Sequence, residues 1–283
     1  MSPKEWMEHV RQKHGIDRIW NPNDNELERF IKKVPEKDRE EARKVWKARV
    51  GKSIGQIHDE LMETYKDQVK MALRPSEKSL LESTYFGVWP TGRFEGYTGF
   101  IPRGDRVVIL NFGLGHTLAI WSHWYSRSIE LGRTHITSDH PEELEPLMRY
   151  TKMLWYEKPL QQKDVPNVYP KTYDYWELSE KLCLASIAFV LGHELGHIVT
   201  ENDGYTCCRE ANHTREFAAD RFGLSVAIRH AFVRSSQREE FDNYHYMLPL
   251  FSPLFTLAVM SLFGNNDSYT HPAPSRRAAK LLT

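Results

Sequence analysis

The chain has 283 residues, 38 basic and 38 acidic side chains, and 12% aromatic residues. That length can bury a sizeable core, as one large domain or two modest ones. The aromatic content excludes a disordered chain, and the charge balance gives nucleic acid no electrostatic reason to bind.

Read in order, the opening stretch MSPKEWMEHVRQKHG lacks the apolar segment of a secretory signal. The three cysteines, Cys183 and the adjacent Cys207 and Cys208, make no disulfide framework. Both features predict a cytoplasmic protein. Residues 1–80 read as an N-terminal helical region. Asp38 to Val50 and Ser53 to Leu73 carry amphipathic periodicity, with Ser53 as an N-cap and Arg74-Pro75 as a stop. Their mixed charges read as a solvated face, with docking of a partner as the alternative.

Composition changes after Leu81, and residues 81–283 form the second region. Tyr85 to Gly104 is rich in aromatics and glycine and predicts short strands. Arg106 to Phe112, RVVILNF, is the clearest strand, and its unbroken VVIL core implies cover on both faces. Gly113 to Ile129 reads as a helix carrying His116 and His123. These two, and His135 and His140 in the next loop, have no partner at ligand spacing and read as ordinary histidines. Pro141 to Met153 predicts another helix. A proline-bearing connection follows and ends at Asp174, which with Glu177 makes a capping signal.

Leu182 to Thr200, LCLASIAFVLGHELGHIVT, reads as one buried helix that nonetheless contains His193, Glu194 and His197. At ~3.6 residues per turn the two histidines share a face and the glutamate reaches the space beside them. In this HExxH arrangement the imidazoles bind zinc and the glutamate is the general base. Eighteen residues separate His197 from Glu216, and Asp220 lies one turn further along a second helix that begins near His213. His193, His197 and Glu216 would hold one zinc per chain with a fourth position open to water. Glu194 would move the proton, and Asp220 would hold the second nitrogen of a ligating histidine. The plainer alternative is a helix whose histidines satisfy core hydrogen bonds, with Asp220 at the surface. Gly192, Gly196, Ala218, Ala219 and Gly223 predict close packing of the two helices.

Tyr244 to Gly264 lacks a formally charged residue and at 21 residues could cross a bilayer. Its prolines and bordering polar residues favour a buried helix without a membrane span, leaving peripheral association open. The tail NNDSYTHPAPSRRAAKLLT reads as a turn and a short basic helix.

HExxH followed at this distance by ExxxD is the gluzincin pattern. With Thr270-His271-Pro272 and Arg277, it resembles the gluzincin peptidases related to HtpX and the CAAX prenyl proteases. Gly99 to Leu118 is similar to the strand-then-helix stretch before the zinc helix in that group. The resemblance covers much of residues 97–282, with gaps. The clear hydrophobic spans of the integral-membrane members are missing, and the soluble Lit-type phage-exclusion peptidases are similar in overall plan. The resemblance implies an α+β, mostly helical fold with a zincin-like core, in which a small sheet packs on the HExxH helix and a second metal-ligand helix. It makes residues 81–283 the metallopeptidase domain. It also implies a zinc endopeptidase whose protein or peptide substrate lies as an extra strand along a sheet edge. His271 and Arg277 then become candidates to stabilise charge on the carbonyl oxygen, with Tyr205 as a rival donor. A regulatory module with structural zinc and a zinc hydrolase of a small non-peptide substrate stay open, as does the oligomeric state.

Overall fold

Apolar residues recur at helical spacing along most of the chain, and the aromatic, glycine-rich Tyr85–Asn111 stretch interrupts that period. The structure, a computed structural model, describes residues 2–13, 19–32, 34, 36–89, 91, 93, 95–101, 104–133, 141–155, 166–200, 208–236 and 244–283. Five helices come first: α1 (Pro3–Lys13), α2 (Asp24–Ile31), α3 (Arg39–Arg49), α4 (Ile54–Ala72) and α5 (Pro75–Glu82). Three strands follow, β1 (Tyr85–Trp89), β2 (Gly96–Phe100) and β3 (Arg106–Asn111). Six helices complete the order: α6 (Phe112–Glu130), α7 (Pro141–Trp155), α8 (Tyr173–Val199), α9 (Arg209–Ser236), α10 (Tyr244–Ser261) and α11 (Pro274–Leu281). The chain is mostly helical with one small sheet, as an α+β reading requires.

Local chemistry sets the boundaries. Ser53 caps α4 through a reciprocal pair with Gln56, whose backbone N–H donates to Ser53 Oγ at 3.1 Å. Pro75 ends that helix and opens α5 at its first turn. α8 begins two residues earlier than the Asp174 signal predicts, with Thr172 at the N-cap. The missing cap is supplied from elsewhere in the chain. Glu130, at the end of α6, accepts from the backbone N–H groups of Lys171 and Thr172 at 2.9 and 2.7 Å. α9 likewise starts at Arg209, before His213.

β3 is the central strand, parallel to β1 and antiparallel to β2. Its four middle residues are buried, as the VVIL run predicts. β2 pairs with β3 alone among the described residues, so its other edge carries no strand. α8 runs through the centre and packs against α4, α6, α9 and α10. Contact between α8 and α9 is close because glycine removes side chains at the crossing. A Cβ on Gly196 would come within 2.8 Å of Ala219 Cα, and one on Gly223 within 2.9 Å of the His193 nitrogen.

The N-terminal helices join the same interior. Met62 and Val69 of α4, with Leu73 at its C-cap, share an apolar cluster with Leu182, Leu191 and Leu195 of α8. Arg11 fastens α1, pairing with both carboxylate oxygens of Asp59 at 2.9 and 2.6 Å and donating to the Val88 carbonyl. α10 buries Leu248, Phe255, Leu257 and Val259 and exposes Met247 and Leu250. Among the described helices only α8 is long and apolar enough to cross a membrane, and 78% of its most apolar window is buried within the protein.

Candidate metal centre

The α8–α9 crossing brings together side chains that lie far apart in sequence. His193 Nε2 and His197 Nε2 stand 3.1 Å apart. Glu216 of α9 closes the triangle, with Oε2 3.6 Å from His193 Nε2 and Oε1 3.5 Å from His197 Nε2. Glu216 is fully buried, yet neither of its oxygens has a hydrogen-bond partner. Such a carboxylate costs several kcal/mol unless a positive charge compensates it. Tetrahedral bonds of ~2.0–2.1 Å place donor atoms about 3.3–3.4 Å apart. The observed separations, which involve both Glu216 oxygens, lie close to that edge, and Arg277 Nη1 stands 3.8 Å from Glu216 Oε2, so the His-His-Glu group could hold a metal ion by distance and by donor type.

A hydrogen-bonded chain backs the triad on one side. Asp220 Oδ1 lies 2.9 Å from His193 Nδ1. A carboxylate only accepts, so Nδ1 carries the hydrogen and the lone pair of His193 falls on Nε2, facing the other donors. Arg277, buried at the start of α11, grips Asp220 with Nε at 2.8 Å and Nη2 at 2.5 Å. Burial alone would raise the Asp220 pKa, but the Arg277 charge and its hydrogen bonds bring it below the usual carboxylate range. At His193 burial pulls downward, and the bond from Asp220 with the nearby carboxylates outweighs it, so the net shift is upward. Burial and the His193 and Arg277 charges push His197 down to about 3, leaving a neutral ring. Glu216 moves upward because burial exceeds the help it receives from His193 and Arg277.

Glu194 is buried and bonds to the sheet. The Thr98 hydroxyl on β2 donates to Glu194 Oε2 at 2.6 Å and lies 3.2 Å from the Glu194 carbonyl oxygen. Gly96, two residues earlier on that strand, faces Glu194 Oε1 so closely that a Cβ there would collide with it. Sequence spacing missed both residues. The Gly-x-Thr pattern in EGYTGF carries no signal until the strand lies over α8.

A cleft of about 850 Å³ opens beside these groups, bounded by Gly96 to Phe100 of β2 on one side and His271 and Arg277 on the other. His271 stands at its mouth, half-exposed, with Nε2 3.5 Å from Glu216 Oε1. Its Nδ1 lies 2.8 Å from the Thr270 hydroxyl. Loss of solvent on one side and the Arg277 charge hold its pKa near about 4, so the ring is neutral. The tail histidine and arginine therefore both reach the site, but in different roles from one another. The expectation gave Arg277 a carbonyl oxygen, whereas its hydrogen bonds go to Asp220. A buried carboxylate is the stronger partner for a guanidinium.

His116 and His123 are held by hydrogen bonds away from the metal group. His116 bonds the Tyr150 hydroxyl at 2.7 Å, and His123 bonds Ser179 Oγ at the same distance beneath Tyr169 and Trp176. His135, His140 and Tyr205 lie outside the described residues.

No family model, curated protein or solved structure matches this chain. The site must be read from its own geometry.

Proposed function

We propose that the protein is a zinc-dependent endopeptidase of protein or peptide substrates, with a zincin-like core formed by β2, α8 and α9. The observation that carries this reading is the position of Glu194. It is a buried carboxylate beside a His-His-Glu set, on the cleft side and outside that set. A purely structural metal needs no such base.

His193, His197 and Glu216 would hold the ion. Zinc bound there would supply Lewis acidity, lowering the pKa of a water to ~7 and polarising a carbonyl. The remaining roles fall to the chain's own side chains. Glu194 accepts a proton from the attacking water, whose oxygen bonds the carbonyl carbon. Glu194 then returns the proton to the amide nitrogen as the C–N bond breaks. Thr98 and Gly96 hold its carboxylate in place. Asp220 fixes the His193 ring, and Arg277 fixes Asp220, which makes Arg277 a positioning residue. His271, with Nδ1 accepting from Thr270, would carry its hydrogen on Nε2, beside Glu216 Oε1 at the edge of the cleft and within reach of a carbonyl oxygen gaining charge. The edge of β2 that carries no strand among the described residues offers backbone groups to an extended peptide.

A cytoplasmic site of action accords with Cys183 and Cys208, which are unbridged. The test is digestion of denatured casein by protein stripped of metal with a chelator and then reloaded with zinc, read by mass spectrometry. Fragments should appear only after reloading, and Glu194→Gln should yield none. Equal digestion by stripped and reloaded protein would refute the assignment.

A further inference from the structure

His271 reaches the His-His-Glu group from the connection between α10 and α11, and a loop fixes a side chain only when its own backbone is held. Ser268 holds both backbone groups of His271. Its N–H donates to the His271 carbonyl at 2.8 Å, and its Oγ accepts from the His271 N–H at 2.8 Å. Ser268 is held in turn by α9. His213, buried in the second turn of that helix, has Nε2 3.0 Å from the Ser268 carbonyl oxygen. A carbonyl only accepts, so Nε2 carries the hydrogen and Nδ1 the lone pair. Arg276 Nη1 approaches that lone pair at 3.5 Å. The same loop is also tied through Asp267, which pairs with Arg276 at 3.0 Å and with Arg209 at 3.3 Å. Those ion pairs stand open to solvent and are weak for that reason. His213 is the buried anchor.

We infer that His213 is a positioning residue: through Ser268 it sets where His271 stands relative to Glu216. His213 lies one turn before Glu216 on α9, so a single helix carries both the carboxylate and the anchor of the ring that faces it at 3.5 Å. The inference rests on the peptidase reading, in which His271 serves a carbonyl oxygen gaining charge. A donor in that place contributes ~10²–10³ in kcat, and a misplacement of ~1 Å can cost ~10²-fold. Without His213 the turn keeps its internal bonds and loses its hold on α9. Binding of a peptide along β2 does not involve His213, so kcat should fall while KM holds.

Three variants and two measurements test this. Leu at position 213 fills the space without a donor, whereas Gln returns an N–H near the place of Nε2. In zinc-loaded protein His213→Leu should lower kcat for peptide cleavage roughly 10- to 100-fold, with KM and zinc per chain unchanged. His213→Gln should restore most of the loss. Ser268→Ala, at an exposed position, removes the acceptor of the His271 N–H and should lower kcat in the same direction. In metal-free protein, hydrogen exchange followed by NMR should be roughly five- to tenfold faster at the His271 amide of His213→Leu, with α8 unchanged and His213→Gln like wild type. Unchanged kcat in His213→Leu, or a loss that His213→Gln does not restore, overturns the inference and leaves hydrolysis standing. If His213→Leu does not fold, Ser268→Ala decides, and unchanged turnover there overturns the inference. A wild type that cuts no peptide counts against the peptidase reading, and the placement is then judged by exchange alone: faster exchange reversed by Gln supports it, and unchanged exchange overturns it.

Discussion

Two buried glutamates meet α9, and their surroundings are opposite. Glu77 of α5 has both oxygens committed: Arg229 of α9 donates at 2.7 Å, and Arg74 donates from its backbone at 2.8 Å and its side chain at 2.7 Å. Glu216 of α9 has neither oxygen committed. Burial pushes both carboxyls upward. At Glu77 the bonds from Arg229 and Arg74 outweigh burial and the pKa falls, whereas at Glu216 burial prevails and the pKa rises. A buried acid with its lone pairs filled is a joint between helices. One with no hydrogen bonds, facing two imidazole nitrogens, belongs to a group that could hold a metal ion.

The sharpest way to break this contrast is to remove each acid. Glu216→Ala should reduce zinc affinity by more than the ~10–100-fold typical of a lost outer partner. It should leave the metal-free protein no less stable, because the buried carboxylate has no hydrogen bond and only a 3.8 Å ion pair with Arg277 to lose. Isothermal titration with zinc and thermal melts of metal-free protein check both halves. Next in size is Arg277→Ala, which strands Asp220 without its partner and should cost about 3–5 kcal/mol even in metal-free protein, read by urea unfolding. Glu194→Gln should slow peptide hydrolysis by ~10²–10⁴-fold, with zinc content and melting temperature unchanged.

Glu77→Gln tests the other side of the comparison and should cost about 1.5–3 kcal/mol. Glu77 titrates below the ordinary glutamate value in the folded state. Its contribution is therefore complete above the unfolded pKa of ~4.3 and disappears as pH falls through the folded value. Acid unfolding of Glu77→Gln should be correspondingly less steep than that of wild type. The smallest effect is expected at Thr98. Thr98→Val should lower kcat roughly tenfold, in line with a lost hydrogen bond to a charged group, with KM little changed, and Thr98→Ser should restore most of it.

The sequence made some parts of this site legible and hid others for definable reasons. His193, His197, Glu216 and Asp220 could be found because helical periodicity converts spacing into shared faces. The glycines at the α8–α9 crossing were readable as close contacts on the same ground. Thr98 and Gly96 were hidden, since only the tertiary fold lays β2 on Glu194. The cap of α8 was hidden for the same cause, being Glu130 from another helix and not Asp174. Arg277 could be placed near the site by its distance from His271. Its choice of Asp220 over the cleft depends on where two long side chains meet, which spacing does not encode.

The central claim is that Glu216 and the two histidines form an incomplete set that a metal completes. Titration of metal-free wild type with zinc, followed by melting temperature and by bound metal per chain after desalting, tests it most directly. Zinc should bind at one ion per chain and raise the melting temperature, by about 2.7 kcal/mol of stability when free zinc is 100 times Kd. Glu216→Ala should show neither effect under the same conditions. A wild-type protein that takes up no zinc, or one whose uptake and melting shift persist undiminished in Glu216→Ala, would contradict the account.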